Sequence, residues 1–155
     1  MKKSSKIVSA IMLLWALARP AFGQGIKMLV NIGDSGVAIQ GYDPVAFFTD
    51  NKPVKGDLKF VLNSNGITYF FASQKHRDMF ALNREKYEPA FGGYCAYGVS
   101  KGKLAKIDVS AFEVVNGKLL LQHNEYARDN FDKDPKGNLA KADVNWPTLV
   151  EMNGK

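Results

Sequence analysis

The chain has 155 residues, with 21 Lys and Arg against 15 Asp and Glu. Four of the cations and none of the anions fall in residues 1–23, so the remainder carries 17 against 15. That small excess leaves nucleic-acid binding without the clustered basic surface it needs, and a single cysteine excludes a disulfide within the chain.

Lys2, Lys3 and Lys6 precede an apolar stretch, Ile7 to Leu17, which Arg19-Pro20 ends. The stretch is short of the ~20 residues of a membrane-spanning helix. With the small residues Ala21 and Gly23 before Gln24, it reads as a secretory signal cleaved after residue 23. The expected product is an exported protein, periplasmic or secreted, with no stable membrane span once the signal is removed. Residues 24–38 then form an N-terminal arm, and residues 39–155 are long enough for one domain with a real core.

Gly41-Tyr42-Asp43-Pro44 is a turn signal, and Val45 to Phe48 is a buried strand or one helical turn. Leu58, Phe60 and Leu62 alternate with polar and smaller residues at the period of a strand. Asn65-Gly66 suits a tight hairpin turn, and Ile67 to Phe71 is the return strand. Ser73 is placed to cap a helix from Gln74 to Leu82 or Asn83, with His76, Met79, Phe80 and Asn83 on one face.

The plan repeats. A shift of 51 positions carries Asn65-Gly66 onto Asn116-Gly117, Arg77-Asp78 onto Arg128-Asp129, and Phe80 onto Phe131. It carries His76 onto Ala127, so the unit itself requires no histidine there. The expected fold is α+β, a small antiparallel sheet of hairpins with helices packed on it, built from two hairpin–helix units. A last helix begins at Asp134-Pro135, with Asp as cap and Pro in the first turn, and Pro147 is expected to stop or kink it. Trp146 and Leu149 would pack that tail on the sheet.

Cys95 follows two glycines and lies between Tyr94 and Tyr97. Paired glycines let backbone approach a ligand or another segment closely. The thiol is either a small buried hydrophobe in a tight turn or a group kept for its chemistry. His76 is likewise either a hydrogen-bonded structural residue or a ligand. Together a thiolate and an imidazole suit zinc or copper, or make an activated thiol. The sequence holds no Cys-x-x-Cys, no His-Glu-x-x-His, no phosphate-binding glycine loop and no G-x-S-x-G elbow.

Ile39-Gln40-Gly41-Tyr42-Asp43-Pro44-Val45-Ala46-Phe47-Phe48 resembles the opening of the YHS domain family in its exported bacterial branch. So do Tyr69-Phe70-Phe71-Ala72-Ser73 with His76, Phe80 and Tyr87, the Gly92-Gly93-Tyr94-Cys95-Ala96-Tyr97 segment, and Ala140 to Pro147. The resemblance implies a small hairpin–helix module that binds a metal such as copper. Ala46, Ala72 and His76 stand where metal-transport members of the family carry cysteines. The Gly-Gly-Tyr-Cys cysteine resembles one replaced by selenocysteine in some relatives, which implies a reactive or metal-bound chalcogen.

The leading expectation is a soft transition-metal site, copper or zinc, on His76 and Cys95, with Asp43, Tyr69, Met79 and Tyr94 as supporting residues. One alternative is a thiol-based redox protein with Cys95 as its catalytic group. Another is a binding module that takes a small ligand or a partner protein beside the glycine loop.

Overall fold

The computed structural model describes Lys27 to Lys155. The expected signal segment lies outside the described residues. The described chain is α+β, with two antiparallel hairpins and helices packed on them.

The first hairpin pairs β1 (Asp57–Ser64) with β2 (Ile67–Phe71), followed by α2 (Gln74–Leu82) and a single turn, α3 (Arg84–Tyr87); α1 (Ala46–Thr49) precedes it. The second pairs β3 (Asp108–Val115) with β4 (Lys118–Gln122), followed by α5 (Glu125–Asp132), with α4 (Ala96–Ser100) ahead of it. Both turns use the Asn-Gly dipeptide with left-handed backbone at each residue: φ is 53° and 77° at Asn65-Gly66, and 51° and 75° at Asn116-Gly117. Ser73 caps α2 by accepting from the His76 amide, and Asn124 caps α5 by accepting from the Ala127 amide.

The repeat extends further upstream than the sequence analysis placed it. Ile39, Gln40 and Gly41 have φ of 51°, 53° and 79°, and Phe91, Gly92 and Gly93 have 53°, 58° and 77°. A shift of 52 superposes these two loops, and one residue fewer between the second loop and β3 than between the first loop and β1 restores the shift of 51. Each loop is followed by a short helix, and each is held to its own hairpin by an isolated parallel bridge, Val37 to Thr68 and Pro89 to Leu119.

Three expectations change in detail. The hairpins form two separate two-stranded sheets rather than one. The β1–β2 register slips between Asp57 and Val61, where Asp57 Oδ1 accepts from the Lys59 amide at 2.8 Å. That bulge puts Leu58 in solvent, 76 % exposed, and breaks its alternation with Phe60 and Leu62. The last helix, α6 (Pro135–Asn153), runs through Pro147, so of the expected stop or kink the stop is not found. Packing on both sides of the proline explains this. Trp146 and Leu149 join one apolar cluster, and Asn145 Nδ2 donates to the Val99 and Ser100 carbonyls. Those contacts offset a penalty of about 3 kcal/mol for proline inside a helix.

β4 lies between two apolar clusters. Leu119 and Leu121 enter the one that contains Phe47, Phe71 and Phe80, and Leu120 enters the one beneath α6 with Phe131 and Ala142. Strand alternation sends successive side chains to opposite faces, so burial on both faces accounts for three consecutive leucines. It also leaves Gln122, the next residue, fully buried. No helix among the described residues is long and apolar enough to cross a membrane.

Candidate functional site

The turn that opens the first unit buries the Asp43 carboxylate completely. Its Oδ1 accepts from the Val45 amide at 2.8 Å and the Ala46 amide at 3.4 Å, fixing the start of α1. Its Oδ2 accepts from the Ala72 amide at 2.8 Å and lies 2.7 Å from His76 Nδ1. A carboxylate already receiving backbone N–H groups is an acceptor, so the imidazole donates from Nδ1, and in the neutral ring the lone pair is then on Nε2. Nε2 lies 3.5 Å from Thr49 Oγ1 at the end of α1, and the imidazole is 14 % exposed. Asp43 therefore joins α1, the end of β2 and α2, and engages only one of the two ring nitrogens of His76.

Cys95 occupies the corresponding place in the second unit. Its sulfur caps α4, accepting from the Gly98 amide at 3.4 Å, and it lies 3.4 Å from Gln122 Oε1. Gln122 Oε1 also accepts from the Tyr97 amide at 3.0 Å, while Nε2 donates to Glu113 Oε1 at 3.4 Å. An oxygen facing the sulfur calls for a thiol that donates, so this arrangement suits neutral Cys95. The residue is 2 % exposed, and its backbone is bridged to Leu121 of the second hairpin.

The expected joining of His76 with Cys95 does not take place through hydrogen bonds. His76 bonds to Asp43 and Thr49, Cys95 to Gln122 and Gly98, and the two sets share no member. Among the described residues no three His, Cys, Asp or Glu side chains gather to hold a metal ion.

The supporting residues separate in the same way. Tyr69 is buried and donates to Glu88 Oε1 at 2.8 Å, and Glu88 in turn pairs with Arg84. Burial first, then the Glu88 charge, pushes its hydroxyl well above the ordinary tyrosine range. Met79 packs against the larger apolar cluster. Tyr94 lies 6.5 Å from Trp146 between ring centroids, and burial raises its pKa. Only Asp43 meets His76 directly.

Gln122, Thr49 and Glu113 complete these networks and were not singled out by sequence. Gln122 had a readable signal, an amide at the end of an otherwise leucine strand, which had to find buried partners. Thr49 had none, because its place beside His76 depends on how α1 and α2 pack.

Comparison with family models, curated proteins and solved structures returns no match.

Proposed function

We propose that this α+β protein binds a copper or zinc ion through His76 Nε2, with Asp43 as the group that orients the ring. One observation carries the reading: a fully buried carboxylate lies 2.7 Å from Nδ1, so that Nε2, with Thr49 Oγ1 at 3.5 Å as its neighbour, is the ring nitrogen left to accept a metal. Metal-bound histidines commonly have such a carboxylate behind them, which fixes the tautomer and raises ligand basicity. The second unit supports it by contrast, since it folds with Cys95 and Ala127 at the matching positions. The fold does not demand the Asp43–His76 pair.

The donor set fits this reading only in part. The Cys95 sulfur is engaged with Gln122 and Gly98 and shares no hydrogen-bond partner with His76, so the reading is carried by the imidazole alone. An imidazole without a thiolate favours Zn(II) or Cu(II) over Cu(I). The other positions would be filled by water or by donors from a partner molecule, as in sites that keep coordination positions open. Residues 1–23 acting as a cleaved signal, and hence an extracytoplasmic location, belong to the same proposal. The thiol-redox alternative requires Cys95 to leave Gln122 and reach solvent.

Titration with Zn(II) and Cu(II) by calorimetry tests the metal reading. His76→Ala abolishes binding, Asp43→Asn weakens it about tenfold or more, and Cys95→Ser leaves it unchanged. Equal affinity in wild type and His76→Ala overturns the proposal, and a matching loss in Cys95→Ser restores the chelate.

A further inference from the structure

The paired glycines before Cys95 serve the N-terminal arm. A Cβ on Gly92 would lie 2.0 Å from the Leu29 carbonyl oxygen, so only glycine lets the arm pass at this distance. Asn31 seals the contact, its amide donating to the Gly92 carbonyl at 2.8 Å and its Nδ2 to the Gly93 carbonyl at 3.0 Å. The arm is also tied to the end of the chain. Met28 and Lys155 exchange two backbone hydrogen bonds of 3.0 Å each, and Lys27 Nζ donates to Glu151 Oε1 at 2.6 Å.

Held along this line, the arm does not lie flat on the domain. Between it, the Asn65 turn, Tyr94 and the last residues of α6 is a cavity of about 520 Å³, within the range of small-molecule sites. Leu29, Val30 and Ile67 give it an apolar wall, while Tyr94, Asn65 and Asn153 add polar groups. The lining holds one acidic and one basic side chain, Asp34 and Lys155, and so offers no net charge to favour a charged ligand.

We infer that this cavity is a binding site for a neutral amphipathic small molecule with an apolar ring or chain and one hydrogen-bonding group. The apolar body lies against Leu29, Val30 and Ile67, and the polar group faces Tyr94 and Asn153. The site is independent of the His76 metal reading, because neither Asp43 nor His76 lines it.

N-phenyl-1-naphthylamine is a fitting probe, being uncharged, aromatic and brighter in apolar surroundings. The full chain binds it saturably at one equivalent. Val30→Trp, which fills the cavity, lowers affinity more than tenfold, and Tyr94→Phe lowers it about fivefold through one lost hydrogen bond. His76→Ala leaves probe binding unchanged, which separates this site from the metal proposal. Binding that does not saturate, or that is equal in wild type and both cavity variants, overturns the inference. Should Val30→Trp fail to fold, amide shifts on the wild-type protein decide: changes at Leu29, Ile67 and Tyr94 support the site, and changes confined elsewhere overturn it.

Discussion

Asp43 and Cys95 stand at the same point of two copies of one unit, each following a left-handed loop and each accepting the amide three residues ahead, Ala46 or Gly98. The two copies solve the same capping problem with different chemistry. Asp43 brings a full charge into the core and surrounds it with three amides and an imidazole. Cys95 brings a thiol, and Gln122 Oε1 supplies the acceptor for the Tyr97 amide, whose counterpart in the first unit, the Val45 amide, donates to Asp43 Oδ1.

Asp43 is therefore a point where α1, β2 and α2 come apart together. Asp43→Ala leaves four donors, three amides and His76 Nδ1, without their partner and is expected to cost about 3 kcal/mol or more. Asp43→Asn keeps one acceptor and the volume, at about 1–2 kcal/mol. Urea unfolding measures both, and an alanine variant within 0.5 kcal/mol of wild type, about the spread of an ordinary surface change, contradicts the role.

Cys95 behaves as a packed thiol in the native state. Iodoacetamide modifies it slowly in buffer and rapidly in urea, because a sulfur with 2 % exposure reacts only after opening. Cys95→Ala loses the cap of α4 and costs about 1 kcal/mol, whereas Cys95→Ser retains a donor and an acceptor and costs less. Equal alkylation rates in buffer and urea would point instead to an open, reactive site.

Local signals account for what the sequence disclosed. The Asn-Gly turns, the Ser73 and Asn124 caps and the length of α2 depend on residues within a few positions of one another, and the structure reproduces them. The bulge at Asp57, the passage of α6 through Pro147 and the two-faced burial of β4 depend on tertiary packing. The same holds for the site. His76 and Cys95 were visible as residue types, but Asp43 reaches His76 across 33 positions and Gln122 reaches Cys95 across 27. The front of the repeat is hard to read in the sequence because its two loops share only Ala, Gly and Tyr at matching positions, at a shift one residue longer.

Gly92 gives a test of how the arm is held. Gly92→Ala must fit a Cβ against the Leu29 carbonyl while φ is +58°, so the arm lifts from the loop. Hydrogen exchange at the Asn31 amide, protected by the Gly92 carbonyl in wild type, becomes fast in the variant while the β4 amides keep their protection. Unchanged exchange at Asn31 would mean the arm is held by its other contacts alone.

Glu113 makes stability depend on pH near neutrality. Burial first, and then the Asp132 charge, pushes its carboxyl up from 4.5 to about 7, with Arg128 pulling the other way and Gln122 donating to it. Between pH 4.5 and about 7 the folded protein keeps a proton that the unfolded chain has released. Stability from this group is thus complete below the lower value and declines as pH rises to the upper one, after which it is level. Glu113→Gln keeps the contact with Gln122 and removes the titration. The difference in unfolding free energy between variant and wild type should therefore grow in the variant's favour from pH 5 to pH 7 and then stop changing. Taking the difference cancels the ionisable groups that do not interact with Glu113, and a difference that is flat across this range would show that Glu113 is already ionised in the folded protein.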